Sequence, residues 1–171
     1  MHGDVWKRPD LSARDRSIVT LAALIARGQT VGLRFYLDRA LDSGVSPKEI
    51  SEIIPHLAFY AGSSNAMSAV TITKDVFAAR QIGRDQLPAV KPAPLLLNEA
   101  AEAGRAALVG QQFGTVSPGA LKYTTDVLFR DLWLRSDLAP RERCLVTVSA
   151  LVATDRSHKH RSTLIARWTA A

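Results

Sequence analysis

His56 and Tyr60 stand four residues apart in the run Lys48 to Gly62, so on a helix their side chains share one face. An imidazole beside a phenol can hold or move a proton at a pocket wall. The plainer alternative is an interface at which both polar groups are satisfied. A single cysteine, Cys144, excludes an internal disulfide and a Cys-x-x-Cys redox or zinc pair. On its apolar helical stretch it reads as a small buried hydrophobe. His158 and His160 are spaced i, i+2 and give no convincing metal pair, so neither metal nor cofactor is expected.

The elements that must position these groups are helices, since no stretch sustains period-two alternation. Ser12-Ala13-Arg14-Asp15 resembles a capping box at the head of a helix over 12–27, with an apolar stripe of Ile18, Leu21, Ala22 and Ile25 and a stop at Gly28. A second helix over 30–43 carries Val31, Leu33, Phe35, Leu37 and Leu41 and ends at Gly44. Ser46-Pro47-Lys48-Glu49 is the clearest start signal, with an N-cap serine, proline at the first helical position and glutamate three residues after the cap. That helix spans 46–61, buries Ile50, Ile53, Ile54 and Leu57, and is expected to kink or loosen at Pro55. The helices over 30–43 and 46–61 are expected to form an antiparallel hairpin. A fourth follows over 64–80, and residues 83–94 form a proline-rich connector. Helices resume near 95–109 and 118–134, and another capped start at Leu138 to Arg141 opens a helix over 140–153.

Residues 4–26 recur at a constant offset as residues 131–153. Asp4, Trp6, Arg8, Asp10, Leu11, Arg14, Arg16, Val19, Thr20, Ala23, Leu24 and Ala26 match Asp131, Trp133, Arg135, Asp137, Leu138, Arg141, Arg143, Val146, Thr147, Ala150, Leu151 and Ala153. Such a gapless run in mixed residue types reads as a duplication. The division expected is a complete module over 1–82, the connector over 83–94, a partial second module over 95–154 and a divergent tail over 155–171. The tail does not resemble Gly28 to Gly44, yet codons permitted for it, read one base out of frame, allow Gly-Gln and much of that segment. Residues 155–171 are therefore expected to be a frameshifted tail, with 155–161 irregular and 162–169 helical or docked. Sequencing the gene tests this, since codons unable to encode Gly-Gln in the neighbouring frame exclude it. A second module cut short leaves the stripe Leu145, Val148 and Val152 uncovered, from which a homo-oligomer is expected.

The formal charge of +6 is not gathered into a patch: Arg14, Arg16, Arg27, Arg34 and Arg39 alternate with Asp15, Asp38 and Asp42. Solvated helix faces are expected, not a nucleic-acid surface. No apolar run approaches the roughly 20 residues needed to span a bilayer, so no membrane partner is expected. Cysteine usage and the lack of a leader-like start point to the cytoplasm.

The segments LSARDRSIVTLAAL, ALDSGVSPKEISEII and LAFYAGSSNAMSAV, in that order, resemble the carboxymuconolactone decarboxylase family. The resemblance covers residues 11–80 and returns over 131–153. It implies an all-α, alkylhydroperoxidase-D-like helical bundle, here duplicated with a truncated second copy. It also implies one of two chemistries. The peroxidase branch needs two cysteines, a histidine and a glutamate where this chain has Gln29, Gly32, Tyr36 and Ser17, so antioxidant chemistry is opposed. The decarboxylase branch usually keeps the histidine at the position of Tyr36. A phenol can still donate a proton there, though its pKa near 10 suits neutral pH less well. Tyr36, His56 and Tyr60 are then the catalytic candidates, and Arg34 and Arg39 the candidates for binding a small carboxylate or lactone, with surface charge as their plainer role. The second function expected from these residues is a catalytically silent member that binds a small ligand or only assembles.

Overall fold

The computed structural model describes residues 8–154. Expectations for Trp6, for His158 and His160 and for the tail over 155–171 fall outside the described residues. Within them the chain is an all-α bundle: α1 (Ala13–Ala26), α2 (Leu33–Asp42), α3 (Pro47–Ala61), α4 (Ser63–Ala79), α5 (Glu99–Phe113), α6 (Pro118–Tyr123) and α7 (Pro140–Ala153). No strand occurs among the described residues, and the nearest approach to one is an isolated bridge between Pro94 and Arg135. No helix there is long and apolar enough to cross a membrane.

The start signals act as their chemistry requires. Ser46 forms a full capping box: its hydroxyl accepts from the Glu49 N–H, and the Glu49 carboxylate accepts from the Ser46 N–H at 2.8 Å. Ser12 accepts from the Asp15 N–H, but the Asp15 carboxylate turns away to take both Nη atoms of Arg141. The corresponding start in the repeat has no such cap, because Ala139 stands at the N-cap and Pro140 supplies the first helical position. Helix α3 continues through Pro55 and forgoes there the one backbone bond proline cannot make.

Five expectations are corrected. Helix α2 starts three residues later than its pattern implied, because Gly28 takes φ +63 and the following residues turn before the helix resumes. Of the five apolar residues named for it, Leu33, Leu37 and, in part, Leu41 face the core together with Ala40, while Val31 and Phe35 lie off that face in solvent. Helices α2 and α3 do not form a packed hairpin. Helix α2 packs on α1 and α4, and α3 packs on α4 instead, where Gly62 at φ +99 turns the chain. The helix expected over 95–109 runs over Glu99–Phe113 instead, capped by the Asn98 side chain on the Ala101 N–H. The helix expected over 118–134 breaks into α6, a π-helical turn over Thr124–Phe129 and a 3-10 turn over Leu132–Leu134. That wider winding brings Leu128, Phe129, Leu132 and Trp133 into one small buried cluster.

The principal core joins Ile18, Leu21 and Ile25 of α1 to Leu33 and Leu37 of α2, Ile50, Ile53 and Leu57 of α3, and Val146 and Ala150 of α7. The most extensive packing is between α1 and α7, the helices that carry the two copies of the repeated sequence. Their ion pairs are reciprocal: Arg14 of α1 reaches Glu142 of α7 at 3.2 Å, and Arg141 of α7 reaches Asp15 of α1 at 2.8 Å. Arg14 and Arg141, like Asp15 and Glu142, are equivalent positions of the repeat. Arg14 also pairs with Glu49.

Candidate functional site

Glu52, His56 and Tyr60 recur every fourth residue along α3 and therefore line one face of it. Burial by apolar neighbours would leave each polar group unsatisfied, so each must find a partner across the interface. All three find one on the chain segment that carries the second copy of the repeat. The Glu52 carboxylate, 1% exposed, accepts from Arg135 Nε at 2.9 Å and Nη2 at 2.8 Å, and from Arg143 Nη2 at 2.9 Å. Burial pushes its pKa up, but the hydrogen bonds of Arg135 and Arg143 outweigh that and hold it below the usual glutamate value. Arg135 is anchored further by the Ala89 and Val90 carbonyls of the connector, with Asp131 at 3.9 Å on the exposed side.

His56 is fully buried, with Nε2 2.8 Å from the Thr147 hydroxyl. That hydroxyl donates to the Arg143 carbonyl at 2.9 Å, so it accepts from His56. This fixes the proton on Nε2 and leaves Nδ1 as a bare acceptor. Burial, aided by the nearby Arg143 charge, pushes the imidazole pKa down to about 3, and the ring is neutral at physiological pH. Tyr60 closes the stripe at its partly exposed end and accepts a hydrogen bond from Trp133 Nε1 at 3.0 Å. Burial pushes its pKa up to about 12, so the phenol keeps its proton. The His56 ring lies between Tyr60, centroid distance 4.9 Å, and the edge-on indole of Trp133 at 5.0 Å.

The remaining candidates fall elsewhere. Tyr36 is partly buried against the principal core and makes an edge contact with Phe35, whereas Tyr60 packs on the smaller cluster around Trp133. Arg34 and Arg39 are exposed on α2. Cys144 is partly buried beside the Trp133 cluster, and burial pushes its thiol pKa up, away from thiolate reactivity.

The sequence reading missed Glu52, Arg135, Arg143 and Thr147. A signal existed, since Glu52 lies on the same four-residue spacing as His56 and Tyr60, and Arg143 and Thr147 repeat Arg16 and Thr20. The arginines were expected on solvated faces, but Arg143 is fully buried.

The segment that carries the α3 stripe, residues 1–75, matches the family model for the carboxymuconolactone decarboxylase family. Residues 1–75 are thus similar to the carboxymuconolactone decarboxylase family. Over 75 residues the chain is 39% identical to a 4-carboxymuconolactone decarboxylase of Acinetobacter baylyi, covering 44% of this chain and 56% of that one. Over 72 residues it is 33% identical to a nitrosuccinic acid decarboxylase of Metarhizium robertsii, covering 42% of this chain and 50% of that one. The chain thus spans about half the length of the relatives it matches. The carboxymuconolactone decarboxylase match includes Tyr36, His56 and Tyr60 but none of Trp133, Arg135, Arg143 and Thr147, the partners of the stripe.

Proposed function

We propose that the chain is a cofactor-free carbon–carbon lyase of decarboxylase type, acting on a small carboxylated lactone. Tyr60 and His56 are its catalytic groups, Tyr36 stands apart from them on α2, and Arg34 and Arg39 attract the anion at the surface. The observation that carries this reading is Tyr60: a phenol kept protonated, held by the Trp133 indole beside a neutral imidazole, within a segment similar to two decarboxylases. In such a reaction the carbon–carbon bond to the carboxylate breaks and carbon dioxide leaves. The electron pair enters the conjugated lactone as an enolate, and a proton returns to carbon. Tyr60 supplies that proton and regains one from solvent at its exposed edge. His56, neutral and tied through Nε2 to Thr147, packs on the Tyr60 ring and holds the phenol in place.

The test is ultraviolet loss of a carboxymuconolactone. The chain is expected to consume it, and Tyr60→Phe to lower kcat by about 100-fold or more, the scale of a lost general acid. A second reading, a silent small-ligand-binding or assembly member, is favoured by tyrosine at position 36 and by exposure of Arg34 and Arg39. Absence of turnover in both the chain and its Tyr36→His variant would establish that reading instead.

The proposed organisation is a complete module over 1–82 joined through 83–94 to a partial copy over 95–154. The reciprocal Arg14–Glu142 and Arg141–Asp15 pairs support it, because matching positions of two copies exchange partners across a pseudo-two-fold axis. In the first copy Leu21 and Ile25 are 0% and 3% exposed, while their equivalents Val148 and Val152 are 38% and 63% exposed. Leu145 differs from expectation in being partly buried against the core. A homo-oligomer that covers Val148 and Val152 is the expected solution state. Light scattering at micromolar concentration checks it, and a monodisperse monomer contradicts it.

A further inference from the structure

Trp133 Nε1 donates to the Tyr60 hydroxyl at 3.0 Å, so the direction of that indole helps to set where the phenol lies. Phe129 lies along the indole, with their planes 7° and their centroids 6.4 Å apart. Arg105 of α5 in turn places its guanidinium 4.0 Å over the centre of the Phe129 ring. That side chain is 9% exposed. Its Nε and Nη2 each take a Glu102 oxygen at 2.7 Å, and Nη2 also meets the Thr125 hydroxyl at 3.0 Å. Thr125 and Phe129 both belong to the π-helical turn, a kind of winding frequent at functional sites, and both meet the one guanidinium. Tyr60 lies within the segment that matches the decarboxylase family, whereas Trp133, Phe129 and Arg105 lie beyond it.

Burying Arg105 and Glu102 together is costly, and an apolar pair would fill the same space without that cost. A guanidinium over a ring face is a directional contact that strengthens where water is excluded, so it restrains the ring beneath it. We propose that Arg105, acting through Phe129 and Trp133, is the positioning residue that holds the Tyr60 hydroxyl for proton transfer. The inference rests on the reading of Tyr60 as the general acid and deepens it, because it extends the site to α5. The groups that face the phenol are the neutral His56 of its own helix, Cys144 and Thr147 of α7, the Trp133 indole and Arg105. Among these Arg105 is the cation, and its field favours the phenolate left behind once Tyr60 has given up its proton, while burial opposes that phenolate.

The experiment follows the Trp133 indole N–H of the full chain by NMR, assigned by its loss in Trp133→Phe, together with ultraviolet turnover of a carboxymuconolactone. Arg105→Met is expected to move that resonance toward its position in Tyr60→Phe, where the acceptor is gone, and to speed its exchange with solvent by about tenfold. It is expected to lower kcat by about tenfold with KM unchanged, because a displaced acid slows the chemistry without loosening the substrate. In Arg105→Met combined with Tyr60→Phe, kcat is expected to equal that of Tyr60→Phe alone, since Arg105 then has nothing to position. Phe129→Leu leaves the Arg105–Glu102 pair in place and is expected to act in the same direction, so it decides should Arg105→Met not fold. The proposal is overturned by an unmoved indole resonance in the folded variants, by kcat losses that multiply in the double variant, or by a loss confined to KM. A Trp133 response in a chain that never consumes the lactone removes the decarboxylase reading and leaves the positioning of Tyr60 standing. Turnover in the unaltered chain, with the resonance unmoved in both variants, does the reverse.

Discussion

Glu52→Ala is expected to lower the free energy of unfolding by about 3–5 kcal/mol, the scale found when one partner of a buried ion pair is removed. The reason lies in what remains. Arg143 is fully buried and Arg135 nearly so, and without the carboxylate two guanidiniums face each other with little access to water. The nearest other carboxylate to Arg135, on Asp131, is at 3.9 Å and largely exposed, which is too weak a substitute. The pair does not by itself guarantee net stability, because bringing these charges out of water is costly. Replacing Glu52 and Arg143 together by apolar residues of similar size is therefore expected to recover most of the loss. Urea denaturation of the single and double variants measures both. A single-variant effect below about 1 kcal/mol would mean that the seam is solvated in solution, as an exposed pair is.

The second large effect concerns acid. Burial pushes the His56 pKa down to about 3 in the fold, against the usual 6.5 in the unfolded chain. As the pH falls below 6.5 the unfolded chain takes up a proton that the folded chain refuses. Stability is thus fully present above that value and drains by about 1.4 kcal/mol per pH unit until the folded pKa is reached. At about pH 5 the loss from this one residue comes to about 2 kcal/mol. Glu52 adds to it only lower down: its pKa is depressed in the fold, so its contribution is whole above the unfolded value of about 4.3 and is lost as the pH drops further. His56→Gln keeps a polar partner for Thr147 and cannot titrate in this range. Its denaturation midpoint is expected to vary less between neutral pH and about pH 5 than that of the unaltered chain, by the equivalent of about one proton. Equal slopes in the two proteins would mean that His56 is reached by water and charges in the fold.

The local sequence determined most of the helices. Ser12, Ser46 with Glu49, Gly28 and Gly44 act over a few residues, through hydrogen bonds and backbone angles that need no distant partner, and α1 and α3 lie where those signals put them. The signals were weaker over 118–134, where a change of winding gathers Leu128, Phe129, Leu132 and Trp133 into one cluster. The four-residue spacing of His56 and Tyr60 was legible, and so was the repeat linking α1 to α7. Which helices pair was not legible. Apolar stripes say that a face must be covered but not by what, so α3 was assigned to α2 when it lies against α4 and α7. The chemistry of the site depended on that same choice. Glu52 gave no sign of a partner in sequence, and the arginines were expected on solvated faces. Glu52 and Arg143 become a buried pair because α3 crosses the segment carrying Arg135 and Arg143, so that each charge is desolvated at a place where the other can satisfy it. The sequence alone supplied the residue types and their spacing. Tertiary contact decided their burial and partners, and therefore that His56 is neutral and Tyr60 keeps its proton.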